Sequence, residues 1–276
     1  MNAFQKALKM RKSLKDDNLV FLYTMGKVGS KSIEKSFREI DVPHIHKHCF
    51  NFYRDFLKKM FGKYRSARYY YNRRWFKRTL GKYIGFAHLI SVRTRKRTKV
   101  ITLVREPISR NISMYMQDFQ IPVFEVASYT GNVKTDKLRL ENFIADFKDN
   151  FNHTYGIKWF DEEFKRRLKI DIYLYPFDKE KGYTIINTKK YEILVMQLER
   201  LDDSYSIIGD FVGESSFSIV NENTATSKWY YPIYKEFRRK LSFDDEYIRN
   251  MYESKFVKHF YSETDINKFR EIYGGK

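Results

Sequence analysis

The sequence predicts an α/β protein with a central, mainly parallel sheet flanked by helices in a three-layer arrangement. Two compact apolar runs, 19–25 (LVFLYTM) and 99–104 (KVITLV), have the length and composition of buried strands. Each run is followed by apolar residues at helical spacing. Because parallel strands must be joined by a crossing segment, this alternation of strands and helices favours a parallel sheet.

The elements follow in chain order. The first strand leads into a helix that begins at Ser30 and carries apolar residues at helical spacing, namely Ile33, Phe37 and Ile40. A weaker second strand is predicted at 42–50 (VPHIHKHCF). The strand at 99–104 leads into a helix that begins near Pro107, because proline is favoured in the first turn of a helix.

The second half of the chain alternates in the same way. Helices are predicted at 137–150 and 157–169. The β-like segments are 169–177, 183–188 and 191–198, and a hairpin turn at 187–190 is expected between the last two. The C-terminal region returns to helices, with loose capping boxes predicted at Ser242 and Ser262.

A single domain is predicted over residues 1–276. Length alone permits one large domain or two small ones, but the chain shows neither an internal repeat nor a low-complexity linker. Within the domain we expect an N-terminal extension at 1–17 and a basic, aromatic, helical insertion at 50–98. Apolar residues make up 42% of the chain and aromatic residues 18%, which is enough to build a core and argues against disorder.

Composition excludes several classes of protein. The single cysteine, Cys49, rules out a disulfide framework and a cysteine metal cluster. No apolar run approaches the 18 or so residues of a membrane helix, and the N-terminus lacks the apolar core of a secretory signal. These features predict a cytoplasmic protein. They leave open a peripheral contact with the inner face of a membrane through 1–15 or 54–99.

Positive charge is concentrated in one segment. The formal net charge is +19, and residues 54–99 contain 16 basic residues and one acidic residue. Such a local excess predicts an anionic partner. The alternative is a solvated helix face, which does not explain the scarcity of acidic residues.

A glycine-containing turn predicts a phosphate site. The segment Gly26-Lys27-Val28-Gly29-Ser30-Lys31-Ser32, here called the glycine loop (residues 26–32), lies between a strand and a helix. Glycines allow backbone N–H groups to turn inward, and the following helix offers unpaired N–H donors. A nucleotide triphosphatase loop would read G-x-x-x-x-G-K-[ST], but Met25 and Ser30 stand where its glycines belong. The loop is therefore P-loop-like without being a standard P-loop.

A second strand–helix junction predicts a second anion site. Arg105 follows the strand at 99–104, and Ser113 lies eight residues further on, with Ser109 and Arg110 between them. Ligands of open parallel sheets bind at the carboxyl ends of the strands, so Arg105 and Ser113 could clamp a second phosphate. An exposed helix that happens to carry an arginine is the alternative interpretation.

Together, TMGKVGSKSI and LVREPISRNISMY resemble the two nucleotide-binding segments of the sulfotransferase superfamily that uses 3′-phosphoadenosine 5′-phosphosulfate (PAPS). More narrowly, the chain resembles bacterial capsular polysaccharide synthesis proteins with a late Lys-Trp-Tyr signature, here SKWYYPIYKEF at 227–237. QLERLDD at 197–203 and KHFYSETDINKF at 258–269 also fit that group. The resemblance spans about 19–273, and Ser227 stands where the group usually has asparagine.

The resemblance implies a PAPS-dependent sulfotransferase that acts on a hydroxyl group of an anionic or neutral saccharide and requires no metal. It places Lys27 at the leaving oxygen. The 5′ phosphate would be bound by the remaining loop residues, Val28, Gly29, Ser30, Lys31 and Ser32. The 3′ phosphate would be bound by Arg105 and Ser113, with Lys228 as an additional donor.

The acceptor hydroxyl requires a general base near neutral pH, which histidine supplies best. His46 matches the position of the base in the resembling family, and His88 is the second candidate. His44, His46 and His48 alternate and are expected to share one face. A zinc site among them is disfavoured, because the sequence places no carboxylate close by.

Two other functions remain open at this point. A P-loop kinase shares the strand–loop–helix core but would need ATP and magnesium. A binder of nucleic acid or of a membrane surface would use the basic segment, but that reading leaves both strand–helix junctions unexplained, so nucleic acid is not expected as a partner. Aromatic residues among the arginines near 68–77 favour a saccharide, because sugar faces stack on rings and sugar carboxylates pair with arginine.

Overall fold

The computed structural model describes residues 16–49, 94–118, 137–220 and 230–274. Most of the predicted N-terminal extension and insertion therefore lies outside the described residues. So do the predicted site residues His88 and Lys228, together with Ser227 and Trp229 at the start of the Lys-Trp-Tyr signature.

The described residues form a mixed α/β structure around a five-stranded sheet. The strands are β1 (Val20–Tyr23), β2 (His44–Lys47), β3 (Thr98–Val104), β4 (Tyr183–Asn187) and β5 (Tyr191–Gln197). Their spatial order is β2-β1-β3-β5-β4. All neighbours pair in parallel except β4 and β5, which form the predicted antiparallel hairpin. The prediction of a mainly parallel sheet is confirmed.

Both faces of the sheet are covered. Every residue of β1 is buried, and β3 and β5 are buried at all positions but one. Strands with this pattern require cover on both sides. The two edge strands, β2 and β4, are less buried, because only one neighbour protects them.

Contacts of β1 and β2 identify the covering elements. Tyr23 contacts the rings of Trp159 and Phe164 at centroid distances of 5.1 and 5.6 Å. On the opposite face, Phe37 from the first helix lies 5.4 Å from the ring of His44. Since Val20 pairs with His44, and Tyr23 lies on the other face of β1, helices flank the sheet on both sides.

The helices are numbered here in chain order over the described residues: α1 (Ser30–Glu39), α2 (Pro107–Asp118), α3 (Lys137–Asn150), α4 (Tyr155–Trp159), α5 (Arg166–Leu168), α6 (Leu201–Ser204), α7 (Ser206–Val212), α8 (Tyr231–Lys240), α9 (Asp245–Tyr252), α10 (Lys255–Phe260) and α11 (Glu263–Tyr273). A π-helical segment, Phe160–Lys165, joins α4 to α5, so the helix predicted at 157–169 is present with one widened stretch. Within the described ranges, no helix combines the length and the apolar character needed to cross a membrane.

Two local predictions were wrong. The segment 169–177 is not a strand but contains a single 3₁₀ turn, Ile172–Leu174. The Asp171 carboxylate accepts a hydrogen bond from the Tyr173 N–H and so caps that turn, and short polar side chains of this kind compete with strand pairing. The cap predicted at Ser242 is instead Asp244, which accepts from the Tyr247 N–H at 2.7 Å. The capping box at Ser262 is confirmed.

Candidate anion-binding site

The glycine loop lies at the carboxyl edge of the sheet and adopts an unusual backbone. β1 ends at Tyr23, and α1 begins at Ser30. Lys27 and Gly29 both have positive φ angles, 73° and 79°. A left-handed conformation costs a non-glycine residue about 1–2 kcal/mol, and strain of this kind concentrates at functional sites.

Gly29 is needed for two reasons. Its φ angle of 79° is one that residues with a Cβ rarely adopt. In addition, a Cβ at this position would lie 2.5 Å from Cδ1 of Leu198, which follows β5. The loop is therefore in close contact with the Leu198 side chain at the end of β5, and a larger residue at position 29 would force that side chain to move.

Backbone N–H donors are available at the start of α1. In the described part of the chain, no group accepts a hydrogen bond from the N–H of Gly29, Ser30 or Lys31. Unpaired donors are a general property of the first helical turn and attract anions. The Ser32 N–H, in contrast, donates to the Gly29 carbonyl at 3.0 Å. Of the predicted backbone donors, Ser32 is thus already engaged.

Two arginines hold successive carbonyl groups of the loop. Arg105, directly after β3, donates from Nη1 to the Lys27 carbonyl at 3.0 Å. Arg110, in α2, donates from Nε to the Gly26 carbonyl at 3.1 Å. The structure therefore brings the two predicted anion sites together, although Lys27 and Arg105 are 78 residues apart in the sequence.

One face of α2 lies against the loop. Besides Arg110, Met114 comes within 3.8 Å of a Cβ built at Gly26, and Gln117 accepts a hydrogen bond from the Lys27 amine at 3.1 Å. Ser113 is three residues after Arg110 and four before Gln117, so it belongs to the same helical face. Of the predicted second-phosphate residues, Ser113 thus lies on the loop side of α2, and Arg105, between β3 and α2, contacts the loop itself.

The N-terminus of α2 is already occupied by a carboxyl group of the chain itself. The Glu106 carboxylate accepts hydrogen bonds from the N–H groups of Ile108 and Ser109, at 2.7 and 2.6 Å. It also accepts from the Tyr252 hydroxyl at 3.1 Å. Glu106 is 2% exposed, and burial raises the pKa of its carboxyl group. A second phosphate would therefore bind to the side chains of Arg105 and Ser113 rather than to this helix end.

The histidine cluster is divided by its hydrogen bonds. Nδ1 of His44 is 2.8 Å from the Val42 carbonyl, and Nδ1 of His48 is 2.9 Å from the Thr24 carbonyl. Since a carbonyl only accepts, both Nδ1 atoms carry the proton. The rings of His46 and His48 are 4.6 Å apart, in agreement with the prediction that the histidines share a face.

His46 has a carboxylate partner that the sequence analysis missed. Its Nδ1 lies 2.9 Å from Oε2 of Glu34 in α1. This hydrogen bond is the main reason why the pKa of Glu34 is lowered to about 2. Nε2 of His46 is buried and has no partner among the described residues. Glu34 precedes His46 by 12 residues. The contact could have been predicted from the topology, because a helix that connects two parallel strands crosses over the second strand.

The statement that no carboxylate lies near the histidines was therefore wrong. Even so, the described ranges contain no group of three or more histidine, cysteine, aspartate or glutamate side chains arranged to hold a metal ion. Glu34 also pairs with Arg38, so its two oxygens are shared between a histidine and an arginine. The Glu34 carboxylate thus orients the His46 imidazole, and a carboxylate partner of this kind is common where histidine acts as a base.

Residues 132–262 match the family model NKWYS, which is described as "Putative capsular polysaccharide synthesis protein". The matched region is a little under half of the chain; it includes β4 and β5 but neither the glycine loop nor Arg105. Comparisons with curated proteins and with solved structures gave no match. Over residues 132–262, the chain is therefore similar to the NKWYS family of capsular polysaccharide synthesis proteins.

Proposed function

We propose that this protein is a sulfotransferase that transfers a sulfuryl group from PAPS to a hydroxyl group of a saccharide, and that its sheet and glycine loop form a P-loop-like fold. One observation carries the proposal. Arg105 donates a hydrogen bond to the Lys27 carbonyl, so the residue expected to bind the 3′ phosphate lies beside the loop expected to bind the 5′-phosphosulfate.

Two adjacent anion sites fit this donor for a simple reason. PAPS carries a phosphate on the 3′ position of its ribose, separate from its 5′-phosphosulfate, and each needs its own donors. The unpaired N–H groups at 29–31 and the Ser30 hydroxyl supply the first set. Arg105 and Ser113 supply the second, with Lys228 proposed as a further contact.

Lys27 has the role of an electrostatic catalyst in this proposal. Sulfuryl transfer resembles phosphoryl transfer in that negative charge develops on the leaving oxygen, and a fixed cation stabilises it. The Lys27 amine donates a hydrogen bond to Gln117 near the end of α2, and in this proposal it also contacts the leaving oxygen. Its cation does what a metal ion does in many kinases, so donor binding should not require magnesium.

His46 is the proposed general base. Its Nδ1–H is directed to Glu34, which leaves the lone pair on Nε2 to accept a proton. In the proposed step the acceptor oxygen bonds to sulfur, the bond from sulfur to the bridging phosphate oxygen breaks, and the hydroxyl proton passes to His46. His88 is the alternative base.

A control for this role is present on the same strand. His44 lies in β2 beside His46, but its Nδ1 is bound to a backbone carbonyl. We expect His46→Gln to reduce transfer at least a hundredfold, since general bases contribute about 10²–10⁴-fold. His44→Gln should leave transfer nearly unchanged. Equal effects of the two substitutions would exclude His46 as the base.

The saccharide acceptor is proposed from the similarity to capsular polysaccharide synthesis proteins and from the basic, aromatic segment 54–99. Arginine pairs with carboxylates of acidic sugars. Replacing Arg73, Arg74 and Lys77 with alanine should therefore raise the KM for an acidic polysaccharide and spare donor affinity. An equal loss of donor affinity would contradict this assignment.

The donor site is tested by calorimetry with adenosine 3′,5′-bisphosphate in the absence of magnesium. Loss of a charged hydrogen bond costs about 1.5–3 kcal/mol, so Arg105→Ala should weaken binding about ten- to a hundredfold. Arg97→Ala is the matched control, because Arg97 precedes β3 at its opposite end and contacts Asn187. If wild-type protein binds only ATP, and only with magnesium, the proposal fails and a P-loop kinase is favoured.

A further inference from the structure

Arg110 is almost completely buried, although its side chain carries a charged guanidinium group. Its exposed fraction is 1%. Burying a charged group is costly unless it is well bonded, so the contacts of Arg110 must offset the cost of removing its charge from water.

The contacts of Arg110 link the glycine loop to the body of the protein. Nε donates to the Gly26 carbonyl at 3.1 Å. Nη1 donates to Oδ1 of Asn111 at 2.9 Å, and Asn111 in turn donates to the His153 carbonyl at 2.8 Å. The guanidinium group lies 4.6 Å from the ring centroid of Tyr155. Arg110 is therefore held from two sides and presents one donor to the loop.

The neighbouring helix leaves space for this arginine. A Cβ built at Gly156 in α4 would lie 3.2 Å from Cδ of Arg110. Glycine weakens a helix relative to alanine, so its presence is explained by the close approach of the Arg110 stem. Tyr155 and Gly156 thus form the part of α4 against which Arg110 packs.

We infer that Arg110 is a positioning residue for the glycine loop. Its hydrogen bond keeps the Gly26 carbonyl turned toward Arg110 and away from a bound anion. The loop then presents N–H groups, and not carbonyl oxygens, to that anion. This inference rests on the proposal that the loop binds an anion. A carbonyl directed into the site would repel a phosphate, and Arg105 and Arg110 hold the two successive carbonyls that could do so.

The charge of Arg110 also reaches the edge of the site. His48, which is bonded to Thr24 just before the loop, has its pKa lowered to about 4, chiefly by burial and then by His46, with a smaller contribution from Arg110. The guanidinium therefore adds positive potential next to the loop. Geometry and charge act in the same direction.

The test uses two probes, pyrophosphate and adenosine 3′,5′-bisphosphate, measured by calorimetry at low salt and well below each variant's melting temperature. Arg110→Met keeps a long side chain but removes the donor and the charge. Arg110→Lys keeps the charge, and Gly156→Ala leaves Arg110 in place but crowds its stem. Arg167→Met is the stability control, because Arg167 is also largely covered but pairs with Glu163.

We expect folded Arg110→Met to bind both probes at least tenfold more weakly than wild type. Arg110→Lys and Gly156→Ala should lose less, and Arg167→Met should lose stability but not affinity. If Arg110→Met fails to fold, the Arg110→Lys and Gly156→Ala affinities decide, since a positioning role requires both to fall measurably. Native affinity in the folded Arg110 variants would overturn the inference.

The two probes separate this inference from the proposed function. Binding of pyrophosphate that depends on Arg110, without binding of adenosine 3′,5′-bisphosphate, would support the inference and refute the donor assignment. Binding of both probes that is unaffected by the Arg110 substitutions would support the donor assignment and refute the inference about Arg110. If wild type binds neither probe, both the inference and the proposed function are wrong.

Discussion

Gly29→Ala tests the geometry of the glycine loop, and the chain supplies its own control. Gly29 and Gly213 have similar left-handed backbones, with φ angles of 79° and 85°. A Cβ at Gly29 would lie 2.5 Å from Cδ1 of Leu198, whereas nothing lies within 4 Å of a Cβ at Gly213. The two substitutions therefore share the backbone strain and differ in the close contact.

The magnitudes follow from these two terms. Left-handed alanine costs about 1–2 kcal/mol, and the stiffer unfolded chain returns about 0.4–1 kcal/mol. Gly213→Ala should thus cost about 1 kcal/mol. Gly29→Ala should cost about 0.5–1.5 kcal/mol more, because Leu198 must leave its rotamer. For a chain of this size, the melting temperature should fall by roughly 2–4 °C per kcal/mol.

The assay is urea unfolding together with calorimetry using pyrophosphate. Gly29→Ala should lose more stability than Gly213→Ala and should also bind the probe more weakly, whereas Gly213→Ala should bind normally. In a double-mutant cycle, Leu198→Ala should remove about 0.5–1.5 kcal/mol of the cost of Gly29→Ala. Equal costs at the two glycines, or no coupling to Leu198, would refute the described packing of the loop.

Three further predictions concern single side chains. Lys27→Gly should be more stable than Lys27→Ala by about 1 kcal/mol, because Lys27 has a φ of 73°, while both should lose PAPS turnover; equal melting temperatures would contradict the left-handed geometry. Glu34 has a pKa of about 2, below its ordinary 4.5, so its stabilising charge is fully present above pH about 4.5 and is lost as the pH falls toward 2. Glu34→Gln should therefore flatten the loss of unfolding free energy over that range, and an unchanged pH dependence would argue against the Glu34–His46 contact. Ser262→Ala should cost about 1 kcal/mol as a lost helix cap, whereas Ser242→Ala should change stability by less than about 0.5 kcal/mol, both measured by urea unfolding; similar costs would indicate that the two caps were wrongly distinguished.

Local signals predicted the elements that depend on neighbouring residues. The buried strands at 19–25 and 99–104, the glycine loop between a strand and a helix, and the capping box at Ser262 were all readable, because each depends on backbone preferences within a few residues. The same reasoning failed at 169–177. There the β-like composition favoured a strand, but the Asp171 carboxylate accepts a hydrogen bond from the Tyr173 N–H and caps a 3₁₀ turn, so the segment does not join the sheet.

The sequence predicted an α/β protein with two strand–helix junctions at which we propose that anions bind. The fold brings these junctions together: Arg105 donates to the Lys27 carbonyl, buried Arg110 donates to the Gly26 carbonyl, and Glu34 orients His46. Contacts of this kind depend on strand order and on the crossing of helices over the sheet. No spacing within the sequence encodes them, because the partners are brought together only when the parallel strands align.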